Sequence, residues 1–245
     1  MPRVLISPDA IRGRSITIRD PQELHHLLDV VRVRVGDRLE CFDGAGHGYA
    51  GPIVQRARRR LVVEIAERLE EPRRPLGITL AQALIRPERF AWVIQKATEL
   101  GVDRISPLVT HRTVVRPAPD HADQKLVRWQ RIASEAAKQC GRKTLPHLDV
   151  PQPFRHFLST LQEGTRALMP TLSATGVPLK DELEHFDGVT SAVVLIGPEG
   201  DFTREEALLA QRAGVRLVSL GHLTLRSETA AITTLSILQH VVGFL

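Results

Sequence analysis

A small β-rich module followed by an α/β domain is the fold class this sequence predicts, and three observations predict it. Short β-branched runs separated by Gly, Asp and Arg clusters fill roughly the first seventy residues, with a single helix among them. The segment Glu70-Glu71-Pro72-Arg73-Arg74-Pro75 then breaks every period, because its prolines cannot donate to a ladder and its charges cannot be buried in a face. Beyond it, apolar strands alternate with amphipathic helices, the rhythm of an α/β domain. With 42% hydrophobic residues in 245, the chain has enough apolar matter for a core, and disorder along its whole length is excluded.

In order, strands are expected at Arg3 to Ile6, Ser15 to Ile18, Arg38 to Asp43, Gly48 to Gln55 and Arg60 to Glu67. Asp20, Pro21 and Glu23 supply an N-cap, a first helical residue and a capping-box acid for a helix with Leu24, Leu27, Leu28 and Val31 on one face. After the break come a strand Ile78 to Ile85, a helix Glu88 to Leu100 closed by Gly101, a strand Arg104 to Val109, and a helix from Asp123 to Cys140 closed by Gly141. A short helix Phe154 to Leu161, strands at Ala167 and Ala192 to Ile196, a helix Arg204 to Ala213, a strand Arg216 to Leu220 and a helix Glu228 to Phe244 complete the chain. The domains are therefore expected at residues 1–71 and 76–245.

The 33 Lys and Arg residues against 28 acids give a net charge of +5, which favours an anionic partner. Only five of those cations are lysine, and arginine is the better fork for phosphate and the better stacking plane for a base. Cys41 and Cys140 lie too far apart for a Cys-x-x-Cys motif, which suits a reducing, cytoplasmic setting. The N-terminal residues do not read as a secretion signal, and no apolar run approaches the ~18 residues of a membrane span.

Gly46-His47-Gly48-Tyr49-Ala50-Gly51 has the letters of a dinucleotide fingerprint, but Pro52 to Gln55 continue as strand where that motif needs a helix. It is read as a hairpin, and a nicotinamide-dependent enzyme loses its support. Phosphate-loop, His-Glu-x-x-His and Gly-x-Ser-x-Gly motifs are lacking, and the scattered histidines point to no metal; His111 and His222 are loop residues. Two strand-to-helix loops look like chemistry. Val193 to Ile196 empties into Gly197-Pro198-Glu199-Gly200-Asp201 before a helix capped by Thr203, and Leu217 to Leu220 empties into Gly221 to Arg226 before a helix capped by Ser227. Ligands of open α/β sheets bind at such carboxyl ends, and Arg226 and Glu228 flank the second loop.

The segments Leu195-Ile196-Gly197-Pro198-Glu199-Gly200 and Leu220-Gly221-x-Leu223-x-Leu225-Arg226-x-Glu228-Thr229-Ala230 resemble the RsmE family of SPOUT-class ribosomal RNA uridine-N3 methyltransferases. Gln95-Lys96-x-x-Glu99-Leu100-Gly101-Val102 and Glu135-Ala136-x-x-Gln139-x-Gly141-Arg142 extend the likeness upstream. His25-His26-Leu27 to Val31-Arg32, Val35-Gly36-Asp37 and Phe42-Asp43-Gly44 extend it into the N-terminal module. Two positions depart from the family pattern: Asp201 stands where a glycine is usual, and Ser227 where a threonine is.

The resemblance implies a PUA-like RNA-binding barrel and a SPOUT α/β domain tied in a trefoil knot. It also implies S-adenosyl-L-methionine as cofactor, the 16S rRNA of the small ribosomal subunit as substrate, and a homodimer. On that reading Gly197, Glu199, Gly200, Leu220, Gly221, Leu223, Leu225 and Arg226 line the cofactor pocket. Arg226 stabilises the uracil anion, while Glu228 or Glu99 orients it or takes the N3 proton. Phosphate contacts are expected from Arg12, Arg14, Arg32, Arg34 and Arg86, alongside Arg112, Lys138 and Arg142. A SPOUT enzyme acting on transfer RNA or another ribosomal site, and a non-catalytic RNA-binding assembly factor, are the alternatives.

Overall fold

The computed structural model describes residues 1–72, 74–115, 122–172 and 176–245; Arg73, in the predicted break, lies outside them. The chain divides into two units, Met1–Arg73 with Ser134–Leu145, and Arg74–Ala133 with Pro146–Leu245.

The first unit carries strands β1 (Arg3–Leu5), β2 (Ile11–Arg12) and β3 (Ser15–Ile18), helix α1 (Pro21–His25), and strands β4 (Arg38–Phe42), β5 (His47–Ala57), β6 (Arg60–Glu64) and β7 (Glu67–Glu70). Its seven-stranded sheet runs β1-β4-β5-β6-β3-β2, with β7 added on β5. Only β1 and β4 pair in parallel; every other ladder is antiparallel. Val4, Ile16, Leu27, Leu39, Ile53 and Leu61 form its core. The fingerprint-like glycines lie in the β4–β5 hairpin, as expected, and Gly51 has a steric task. A Cβ there would stand 1.7 Å from the Glu64 carbonyl oxygen, so only glycine lets the strands approach.

Asp20 caps α1 as predicted, accepting from the Gln22 and Glu23 amides at 2.9 Å each. Two details differ. The Glu23 carboxylate does not turn back to close a capping box but binds Lys138 Nζ at 2.8 Å. After His25 the helix widens into a π turn over His26–Val31, ended by Arg32 at φ 61. The wider turn shifts the phase of everything after it, so Leu24 and Leu27 stay buried while Val31, expected on the same face, is 40% exposed.

The second unit carries β8 (Gly77–Ala83), α2 (Pro87–Glu99), β9 (Arg104–Val109), α3 (Ala122–Cys140), β10 (His147–Leu148), β11 (Gln152–Pro153) and α4 (Phe154–Ser159). It continues with β12 (Arg166–Pro170), β13 (Val177–Pro178), α5 (Leu179–Leu183), β14 (Ser191–Ile196), α6 (Arg204–Arg212), β15 (Arg216–Ser219) and α7 (Ser227–Val241). The last part of α3, from Ser134, groups with the first unit. The sheet order is β10-β9-β8-β14-β12-β15-β13, with β11 also on β9, and every ladder is parallel. Both faces are covered. Ala192, Val194 and Ile196 of β14 enter one core with α2 and α7, while Val193 and Leu195 enter the other with Phe154, Phe157 and Phe202. A strand buried on two faces reads as an unbroken apolar run, as this one does.

Candidate active site

Strands β12, β14 and β15 are neighbours in the sheet and end together at Pro170, Ile196 and Ser219. The loops that follow them line one cavity of about 550 Å³. Its wall includes Ile196, Leu220, Leu223 and Leu225 as apolar surface and Arg89, Glu199, Asp201 and Arg226 as charge. Glycines stand where backbone must come close: Gly221 has φ +113, and a Cβ on Gly197 would lie 3.0 Å from Asp201 Oδ1.

The loops are tied to one another. Ser227 Oγ donates to the Gly197 carbonyl at 2.5 Å and accepts from Gln82 Nε2 at 2.9 Å. It therefore does not cap α7, as expected from sequence; the helix starts one residue earlier, with Arg226 at the cap position, and the buried hydroxyl joins two pocket loops instead. Asp201 sits at φ 60, a left-handed conformation that aspartate tolerates better than most residues. Its Oδ1 accepts from Phe202 N at 2.8 Å, and its Oδ2 accepts from Leu172 N at 3.0 Å and Thr171 Oγ1 at 3.2 Å. The side chain that displaces a glycine thus binds the loop after β12 to the loop after β14. Thr203 caps α6 as expected and closes a capping box with Glu206, whose Oε1 also accepts from His111 N at 2.8 Å.

Of the eight residues expected around a cofactor, Gly197, Glu199, Leu220, Gly221, Leu223, Leu225 and Arg226 line the cavity. Gly200 does not line it; its carbonyl accepts from Arg112 Nη1 at 2.6 Å. Glu228 is next to the cavity: its Oε1 lies 3.5 Å from Nη1 of the wall residue Arg89, and its buried Oε2 accepts no hydrogen bond among the described residues. Glu99 is elsewhere, at the C-terminal end of α2, held by Lys96 Nζ at 2.9 Å. Arg89 was not anticipated. Its place in the first turn of the helix after β8, the strand beside β14, is the signal that would have found it.

The expected phosphate contacts separate into two groups. Arg12, Arg14, Arg32, Arg34 and Arg86 are exposed. Arg112 is exposed as well, but its guanidinium is engaged with the Gly200 carbonyl. Lys138 and Arg142 are not open to solvent: Lys138 Nζ is bound by Glu23 and Glu135 at 2.8 and 2.7 Å, and Arg142, with 6% of its side chain exposed, faces Thr144 and Glu71. Burial and acids from distant sequence commit both cations to the fold. Among the described residues no cluster of His, Cys, Asp or Glu is arranged to hold a metal, and no helix is long and apolar enough to cross a membrane.

Residues 72–239 match a family described as an RNA methyltransferase domain, and residues 18–66 match an RNA methyltransferase PUA domain. The ribosomal RNA small subunit methyltransferase E of Synechocystis is 33% identical over 96% of this chain and 76% of its own length. That of Bacillus subtilis is 28% identical over 89% and 88%. Among solved structures, the Neisseria gonorrhoeae ribosomal RNA small subunit methyltransferase E bound to S-adenosyl methionine superposes with a TM-score of 0.88 at 29% identity, covering 98% of each chain. A Legionella pneumophila methyltransferase in complex with the same cofactor gives 0.86 at 33% identity, covering 97% of this chain and 96% of that one.

Proposed function

The chain belongs to the family of ribosomal RNA small subunit methyltransferase E, and from that premise we propose that it transfers a methyl group from S-adenosyl-L-methionine to N3 of a uridine in 16S ribosomal RNA. The observation that carries this reading is the glycine-edged cavity at the ends of β12, β14 and β15, with Arg226 in its wall. Its residues suit the cofactor: Leu220, Leu223 and Leu225 offer apolar surface to an adenine, and the tight glycine turns leave backbone groups free to approach it. When bound, S-adenosylmethionine supplies an electrophilic methyl on a sulfonium.

The protein's task is to make the ring nitrogen nucleophilic. The uracil N3 proton is held well above neutrality, so it must be removed and the resulting anion stabilised. Arg226 provides the positive charge. Glu228, with a buried oxygen free to accept a hydrogen bond, is the proton acceptor and Arg89 orients it; Glu99, locked to Lys96, does not take part. The 79% exposure of Leu223 in a wall built for an apolar ring supports the homodimer, with a second copy covering that side. Three loops converging on one cavity, with Ser227 bonded across to Gly197, support the trefoil knot, and the mixed seven-stranded sheet supports a PUA-like barrel. A substrate in the ribosome supports a cytoplasmic setting. Residues 1–71 are assigned to RNA binding and 76–245 to catalysis, cofactor binding and dimerisation.

Incubation with labelled cofactor and small subunits lacking the modification, followed by nucleoside digestion and mass spectrometry, should yield 3-methyluridine. Arg226→Ala should lower turnover by about 10²–10³-fold while leaving the dimer intact on size-exclusion chromatography. Retained turnover in that variant, or a different methylated nucleoside, would remove this assignment.

A further inference from the structure

We propose that Gln82, which lies outside the cavity wall, is a positioning residue for methyl transfer: it orients the hydroxyl of Ser227 so that the Gly197 loop and the Gly221–Arg226 loop keep one arrangement around the cofactor. This role rests on the methyltransferase reading of the cavity and deepens it.

Gln82 is near the C-terminal end of β8 and pairs with Ile196, the last residue of β14 before the Gly197 loop. Its neighbours Leu80, Ala81 and Ala83 are apolar and fully buried, and Gln82 is fully buried with them. A polar side chain inside a parallel sheet lowers stability unless all its groups are bonded. Here they are not. Nε2 donates to the Ala83 carbonyl at 3.0 Å and to Ser227 Oγ at 2.9 Å, but Oε1 accepts no hydrogen bond among the described residues. A methionine would fill the same space without leaving an acceptor unpaired, so the amide is accounted for by what its nitrogen does.

Counting protons shows what that is. Ser227 Oγ stands 2.5 Å from the Gly197 carbonyl oxygen, which can only accept, so the single hydroxyl proton is committed there. The Ser227 oxygen then has only lone pairs to offer Gln82, and the Ala83 carbonyl has the same, so the amide must present its NH2 group to both. Turned round, its oxygen would face the Ala83 carbonyl and draw the Ser227 proton away from Gly197. The Gly197 carbonyl is the right handle for this loop. Its peptide leads into Pro198 and has no N–H, so a hydrogen bond can fix the plane of that peptide only through the oxygen, and from there the chain turns to Glu199 in the cavity wall. Ser227 in turn starts α7 directly after Arg226. One buried amide thus sets the entry of one cofactor loop and the exit of the other.

Gln82→Met keeps the length of the side chain and removes the donor. Calorimetric titration with S-adenosylmethionine should give an affinity about tenfold weaker, the value of one buried hydrogen bond. KM for the cofactor should rise in step, while KM for small subunits lacking the modification stays as in the parent and the thermal midpoint remains within about 3 °C of it. Ser227→Ala should lose the same factor, and Ser227→Thr should recover most of that loss by restoring the hydroxyl. The double variant Gln82→Met with Ser227→Ala should bind no more weakly than either single one, because both remove the same link. A double variant weakened about a hundredfold would show two independent effects and overturn the proposal. So would a Gln82→Met protein that binds cofactor like the parent, or one in which cofactor affinity, KM for RNA and thermal midpoint all deteriorate together, the mark of a damaged core. If the parent binds S-adenosylmethionine and only the Gln82 effect is missing, the methyltransferase reading stands; if the parent binds none, both fail.

Discussion

Asp201 combines a left-handed backbone with three hydrogen bonds from its carboxylate, and two substitutions separate these contributions. Asp201→Gly removes the bonds to Thr171 and Leu172 but keeps the backbone angle free of strain, so cofactor affinity should fall about tenfold, with only a small shift in melting temperature. Asp201→Ala adds a Cβ at positive φ and should cost a further 1–2 kcal/mol or so of stability. Titration calorimetry and thermal melts on the two variants read the two effects; a glycine variant that binds cofactor like the parent would show that the latch does not shape the pocket. The sequence showed that Asp201 departs from a glycine pattern, but not that its side chain reaches the loop after β12, because that partner is some thirty positions away. The cysteines separate by environment in the same manner. Cys41 is fully buried, and burial, with the charges of Glu40 and Glu23 adding to it, pushes its thiol up to about 12. At pH 8 its thiolate is roughly one part in ten thousand. A thiol-disulfide reagent should therefore label exposed Cys140 in the native protein and Cys41 only after denaturant is added.

At the scale of elements, long periodic segments were legible and local exceptions were not. The helices α2 and α6 and the strands β9, β14 and β15 fall within a residue or two of their predicted spans, since each carries an unbroken apolar period and a polar or glycine boundary, whereas α7 starts one residue before its expected Glu228 and ends three short of its expected Phe244. The π turn escaped because one extra residue per turn leaves composition unchanged while rotating Val31 into solvent. The two-residue strands β10, β11 and β13 escaped because pairs of residues have no period. At β10 the ladder is reinforced by side chains: Asp149 accepts from Arg104 Nε and Nη2 at 2.8 Å each and from Ser106 Oγ at 2.5 Å, and its Oδ1 lies 3.0 Å from His147 Nε2. Burial alone would raise the Asp149 carboxyl, but the Arg104 and Ser106 donors, with the nearby charges of Arg104 and His147, outweigh it and hold the group below the usual carboxylate range. A depressed folded-state value stabilises fully above the unfolded value near ~3.9 and is lost as pH falls through the folded one. The stability gap between the parent and Asp149→Asn, from denaturant unfolding, should thus be full at pH 7 and shrink below about pH 4. A gap independent of pH would mean that packing, and not charge, carries the contribution.

At the scale of the whole molecule, the compositional break at residues 70–75 is where the sequence suggests that one module ends, yet Ser134–Leu145, far beyond it, groups with Met1–Arg73. No local signal announces this, because the contacts link residues dozens to more than a hundred positions apart. Arg3 Nη1 donates to the carbonyls of Lys138 and Gln139 at 3.1 and 2.9 Å, Lys138 Nζ meets Glu23 at 2.8 Å, Lys143 Nζ stands 3.7 Å from Glu40, and Leu145 N donates to the Gly44 carbonyl at 2.8 Å. The acids they face are largely shielded: the side chains of Glu23, Glu40 and Glu71 are 15%, 8% and 15% exposed. This is also why Lys138 and Arg142, which read as phosphate ligands from charge alone, have a structural task. A shielded carboxylate stripped of its cation costs several kcal/mol, so Lys138→Met in the full chain should destabilise by roughly 2–3 kcal/mol, the reduced exposure of the pair placing it just under the range for fully buried pairs. The larger consequence concerns truncation. A chain of residues 1–71 keeps every strand of the first sheet but leaves Glu23, Glu40 and Glu71 without the cations of Ser134–Leu145. It should therefore melt broadly or aggregate, and charge-neutral replacement by Glu23→Gln, Glu40→Gln and Glu71→Gln should restore part of its cooperativity in circular dichroism melts. If the truncated chain melts as sharply as the full protein without those changes, the segment 134–145 is an accessory to the first unit and not a part of it.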